Sequence, residues 1–65
     1  MHIMTIGEKI KCLRKAKGMT RRELGCCIGK DQSRIYRYEN GATIPLKVLE
    51  KIAASLDVPV KRLFE

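Results

Sequence analysis

The run Thr20-Arg21-Arg22-Glu23-Leu24-Gly25-Cys26-Cys27-Ile28-Gly29-Lys30-Asp31-Gln32-Ser33-Arg34-Ile35-Tyr36-Arg37-Tyr38-Glu39 reads as two short helices joined by a tight turn. Thr20 and Glu23 have the Thr-x-x-Glu spacing of a capping box, where each side chain accepts the other residue's backbone N–H. Met19 before the cap and Leu24 after it are placed for a hydrophobic staple. Leu24 and Ile28 supply an inward face, and Gly29 stops the helix. This predicts a first helix over 21–28. Asp31 can cap a second over 32–39, which Asn40-Gly41 ends. Gly25 costs about 1 kcal/mol relative to Ala inside a helix. Its place there implies that the second helix crosses close by, with Ile35 filling the corner.

The flanking sequence is helical too. Thr5 and Glu8 form another capping box, and Ile6, Ile10 and Leu13 follow at helical spacing. Gly18 suits a C-terminal stop, so a helix is expected over 6–17. After the loop Ala42-Thr43-Ile44-Pro45, residues Leu49, Ile52, Ala53 and Leu56 share one side of a helix over 46–56. Asp57-Val58-Pro59 breaks it. A last short turn, 60–64, counted as the fifth helix, carries Val60, Leu63 and Phe64. No segment alternates as a strand does, and nothing repeats. The expected fold is all-α: five helices in one domain over 1–65, its ordered core about 6–64. Helix, Gly-containing turn, helix across 20–39 is the helix-turn-helix plan.

Composition narrows the function classes. A 65-residue chain buries only about 60% of its unfolded surface, which leaves no room for a deep enclosed substrate pocket. At 45% hydrophobic residues it is too apolar for a disordered basic tail. No apolar run approaches the roughly 20 residues of a membrane span, and Met1 to Ile6 do not read as a signal peptide. The expectation is a soluble cytoplasmic protein with no membrane partner. Cys12, Cys26 and Cys27 are odd in number and lack Cys-x-x-Cys spacing, so they read as reduced thiols, with a thiol sensor as the minor alternative. His2 is expected on a frayed terminus. With no nucleophile–base pair and no metal constellation, neither catalysis, nor a metal, nor a cofactor, nor a small-molecule substrate is expected.

The charge is polarised. Residues 9–37 hold ten Lys and Arg against Glu23 and Asp31, a net +8, whereas residues 38–65 hold four of each sign. A basic face on a folded domain suits nucleic acid. Helix 32–39 shows how. At about 100° per residue, Gln32, Tyr36, Ser33, Arg37 and Arg34 fall in that order round an arc of about 200°. Ile35 and Tyr38 form a narrow apolar arc facing the core. The wide arc holds an amide, a phenol, a hydroxyl and two guanidiniums, groups that bond base edges and phosphates. An ordinary solvated face is the plainer alternative. RNA is disfavoured, since Tyr36 and Tyr38 face different ways and form no stacking platform.

Ile10, Leu13-Arg14, Lys17-Gly18-Met19-Thr20, Glu23-Leu24-Gly25, Ile28-Gly29, Ile35, Tyr38-Glu39-Asn40-Gly41, Pro45, Leu49, Ile52-Ala53, Leu56, Val58 and Leu63-Phe64 together resemble the lambda-repressor-like helix-turn-helix family, the phage Cro/CI and bacterial Xre-type regulators. The likeness spans residues 6–64. It implies five helices, the third entering the DNA major groove, and commonly a homodimer on a palindromic operator. It also implies that Arg14 and Glu39 pair across two helices, and that Gln32 reads adenine. Four residues depart from the family pattern. Arg21 stands where a phosphate-touching Gln is usual. Lys30 replaces a small apolar residue in the turn, Asp31 a Ser or Thr cap, and Pro59 the cap of the last helix.

The expected base readers are therefore Gln32, Ser33, Tyr36, Arg37 and Arg34. Arg37 and Arg34 could equally bind phosphate. The expected phosphate contacts are Arg21, Arg22, Asn40 and Thr43, with Thr43 as readily a plain turn residue. Double-stranded DNA is the expected partner, and the expected role is a repressor. Val60 and Phe64 are the candidate dimer residues, since the neutral half lacks the repulsion of the +8 segment. An antitoxin built on the same fold, or a protein-interaction module, is the alternative; Arg34 and Arg37 argue against the latter.

Overall fold

A computed structural model describes residues 4–65, so His2 lies outside the described residues. Four α-helices follow in order: α1 (Ile6–Ala16), α2 (Arg21–Ile28), α3 (Gln32–Glu39) and α4 (Leu46–Ser55). Thr5 and Thr20 each complete a full capping box, with Glu8 and Glu23 respectively. Asp31 caps α3 by accepting the Arg34 N–H at 2.9 Å. All four α-helices close alike: a left-handed residue (Gly18, Gly29, Gly41 or Asp57) precedes a backbone N–H bonded to the carbonyl five residues back.

The fifth expected helix is not an α-helix. Val60–Phe64 is a single 3-10 segment. Pro59 supplies no side-chain acceptor for its free N–H groups, and Arg62 N–H bonds Pro59 O at 3.0 Å in the i→i+3 manner. Five residues capped only by proline lack the length for an α-helical repeat to outweigh its nucleation cost.

The core consists of Ile10, Leu24, Ile28, Ile35, Tyr38, Leu49, Ile52, Ala53, Leu56 and Leu63. α2 packs against α3 and α4, α1 lies across α3, and the 3-10 segment closes against α1 and α4. The stripe that α1 buries is Gly7, Ile10 and Arg14, while the expected Ile6 and Leu13 are only partly buried at its edges. The reason lies in α3. Its C-terminal end presents Glu39 and two backbone carbonyls to α1, so a glycine and an arginine meet it better than two aliphatic residues. A Cβ on Gly7 would run into the carbonyl oxygens of Tyr38 and Glu39.

Candidate nucleic-acid interface

The turn between α2 and α3 fixes which face of α3 points outward. Gly29 is left-handed at φ 72°. Lys30 N–H then bonds Gly25 O at 2.9 Å, folding the turn back over α2. A Cβ on Gly25 would lie 2.5 Å from the Lys30 carbonyl oxygen. The close neighbour of Gly25 is thus the turn backbone rather than the body of α3. Lys30 itself is exposed, so the small apolar residue usual there has no buried counterpart. Ile35 is fully buried in the corner, which sets the rotation of α3.

That rotation turns Gln32, Ser33, Arg34, Tyr36 and Arg37 outward, all exposed. Gln32, Ser33, Tyr36 and Arg37 line one shallow concavity together with Arg21 from the first turn of α2. An adjoining concavity is lined by Lys11 and Lys15 of α1, Arg21, Arg22 and Gln32, beside the N-terminus of α2. Lys11 and Lys15 thus adjoin the candidate site, and residue-by-residue reading did not name them. Their signal was present in the +8 charge but not in any local motif. Arg34 lines neither of these concavities. Cys26 and Cys27 are exposed, and Cys26 shares a further concavity with Arg22 and Gln32. Thr43 is exposed in the loop after α3. Asn40 ends α3, and its side-chain amide donates to Tyr36 O at 2.8 Å.

Beneath this face lies a charge cluster. Arg14 Nε donates to Glu39 Oε2 at 2.7 Å, and Arg14 Nη1 donates to Met19 O at 2.7 Å. The Glu39 side chain is 0% exposed and that of Arg14 7%, so the pair is desolvated. Arg21 joins it from the other side, donating from Nε to Glu39 Oε1 at 2.9 Å. Sequence reading assigned Arg21 to phosphate alone. Its ion pair spans 18 residues and leaves no trace in helical periodicity. No buried side-chain polar atom lacks a partner among the described residues.

Residues 10–63 match the Helix-turn-helix family model. The chain belongs to the helix-turn-helix family. It is of the Xre and lambda-repressor-like type, whose members are DNA-binding transcription regulators. Among solved structures it is similar to the Bacillus subtilis biofilm regulator SinR in complex with DNA, at 35% identity over 94% of this chain and 100% of that one, TM-score 0.85. It is similar to the restriction-modification controller protein C.AhdI from Aeromonas hydrophila, at 32% identity over 91% and 87% of the two chains, TM-score 0.87. The P22 c2 repressor bound to a synthetic operator shares the fold, at 22% identity over 94% of each chain and TM-score 0.87. Among curated proteins none matches. No described helix of this family member is long and apolar enough to cross a membrane.

Proposed function

We propose that this helix-turn-helix chain is a cytoplasmic, sequence-specific regulator of transcription, a repressor, that sets α3 in the major groove of double-stranded DNA. The observation that carries the reading is the outward face of α3. It joins Gln32, Ser33, Tyr36 and Arg37 to Arg21 in one open concavity, without an acid among them. Gln32 opens α3 and enters the groove first, where its amide pairs with adenine N6 and N7. Arg37 and Arg34 reach guanine or phosphate. Arg21, Arg22, Asn40 and Thr43 hold the backbone, joined by Lys11 and Lys15. SinR, a relative at 35% identity, is seen in complex with DNA, which supports this reading.

An eight-residue helix spans only about 12 Å and touches four or five base pairs. A two-fold dimer doubles that site, with half-sites about 34 Å apart. Phe64, 56% exposed, offers apolar area on the neutral half, with the partly buried Val60 beside it in the same segment. Selection from a random duplex library, with the mass of the complex measured in parallel, tests the whole proposal. Recovery of a palindromic site bound by two chains is expected. Enrichment of no sequence overturns the function, and one chain per site overturns the dimer.

A further inference from the structure

Arg21 makes two contacts that the phosphate role does not require. Its Nε donates to the fully buried Glu39 carboxylate at 2.9 Å, and its guanidinium carbon sits 5.2 Å from the centroid of the Tyr36 ring. That is within the about 6 Å over which a cation is attracted to an aromatic face. Tyr36 is 54% exposed and stands on the recognition arc of α3. An exposed ring with free torsions loses entropy when it docks on a base, and a ring already held against a planar group loses less. Glu39 is in turn fixed by Arg14 at 2.7 Å. A chain of support therefore runs from α1 through the buried carboxylate to Arg21, and from Arg21 to the exposed ring.

Resting on the DNA-binding reading above, we propose that Tyr36 determines specificity at one operator position and that Arg21 is its positioning residue. The Nε–H of Arg21 is committed to Glu39, and its guanidinium carbon lies over the Tyr36 ring. The Nη groups make no hydrogen bond within the described protein and are left for a phosphate. One arginine thus couples a backbone contact to a base contact. A glutamine, as the resembled family has at this position, offers no cationic plane to the ring.

The test compares the parent with Arg21→Lys, Tyr36→Phe and Tyr36→Ala. Each is titrated against the selected operator and its single-base variants at several salt concentrations. Lysine keeps the positive charge but lacks the planar fork that serves Glu39 and the ring together. Arg21→Lys is expected to lower preference about two- to fivefold, the size of an exposed cation–π contact, at the position that Tyr36→Ala also relaxes. The salt slope and the other positions should stay as in the parent. Tyr36→Phe should retain the sensitivity to Arg21→Lys, and Tyr36→Ala should abolish it. A uniform loss at every position, or independent effects of the two residues, overturns the proposal.

A DNA-free readout separates this idea from the DNA reading. Arg21 side-chain protons should show an upfield ring-current shift in the parent that disappears in Tyr36→Ala. Its absence overturns the positioning role while leaving DNA binding standing. A parent that shows the shift but prefers no sequence overturns the DNA reading, and the specificity role with it.

Discussion

Glu39 holds one negative charge between two guanidiniums, with its own side chain fully buried. Removing a partner from a buried pair costs about 3–5 kcal/mol, because the remaining charge has left water without compensation. Here the three members are not equivalent. Arg14→Ala leaves Glu39 paired with Arg21, so its cost should fall near the lower end of that range. Glu39→Ala leaves the desolvated Arg14 facing Arg21 and should cost the most. Arg21→Ala, from a side chain 34% exposed, should cost the least. Urea unfolding of the three variants checks the order, and an Arg14→Ala midpoint equal to the parent's would show that the pair contributes nothing. On the outer face, Gln32→Ala should weaken operator binding by about 1–3 kcal/mol and relax one symmetric pair of positions. Unchanged preferences at every position in a binding titration would refute Gln32 as a base reader. The Arg14–Glu39 pairing was available through family resemblance. The Arg21–Glu39 bond was not, since it needs the angle between α2 and α3 to bring the two residues together.

Helices this short are specified chiefly at their ends. Two capping boxes and the Asp31 cap are local arrangements three residues wide, legible directly as residue types. The stops are equally local, and Asp57 at φ 60° takes the position that glycine fills at the other three α-helix ends. What the five-helix reading overcounts is the last segment, a short turn after Pro59 that forms a single 3-10 segment because proline cannot cap it. Gly25 gives the sharpest test of an inter-element contact. On propensity alone, Gly25→Ala should stabilise α2 by about 1 kcal/mol. The added Cβ would sit 2.5 Å from a backbone carbonyl that cannot swing aside, so the turn itself must shift. Overpacking of this kind costs about 1–3 kcal/mol, and a net loss of stability is expected. Thermal unfolding that shows Gly25→Ala at or above the parent's Tm would mean the turn relaxes freely.

The polarity of the whole molecule sets how it meets a partner. Ten of the 14 basic residues lie in residues 9–37, and the outward arc of α3, the start of α2 and one side of α1 share that charge. Each phosphate neutralised adds about −0.9 to the log–log salt slope. Arg21 and Arg22 alone give about −1.8 per chain, and Lys11 and Lys15 acting with them give about −3.6. Fluorescence anisotropy across a salt series distinguishes the two values, and a flat isotherm would remove the electrostatic basis of the reading. The proposed dimer contact lies in the opposite half, at Val60 and Phe64. Phe64→Glu puts a charge on the exposed apolar surface and should drive the complex from two chains per site toward one, with the monomer fold intact because Phe64 is not core. Native mass spectrometry of the complex reads this directly. An unchanged stoichiometry would place the interface elsewhere.

Element type, order and approximate bounds followed from sequence, because caps, stops and 3.6-residue periodicity act over a few neighbouring residues. Residues 21–28 and 32–39 match α2 and α3 to the residue for this reason. The outward arc of α3 was equally legible, since Ile35 and Tyr38 share the narrow arc on its other side and both are buried. Only the packed structure settled which residues join that arc from elsewhere. Lys11, Lys15 and Arg21 come to Gln32 across helix crossings, and crossing geometry depends on what each helix presents at the point of contact. A missing Cβ at Gly7 lets α1 settle on the carbonyls at the end of α3, and Arg14 then reaches Glu39. Those are contacts between residues 25 and more apart in the chain, where no local periodicity carries information.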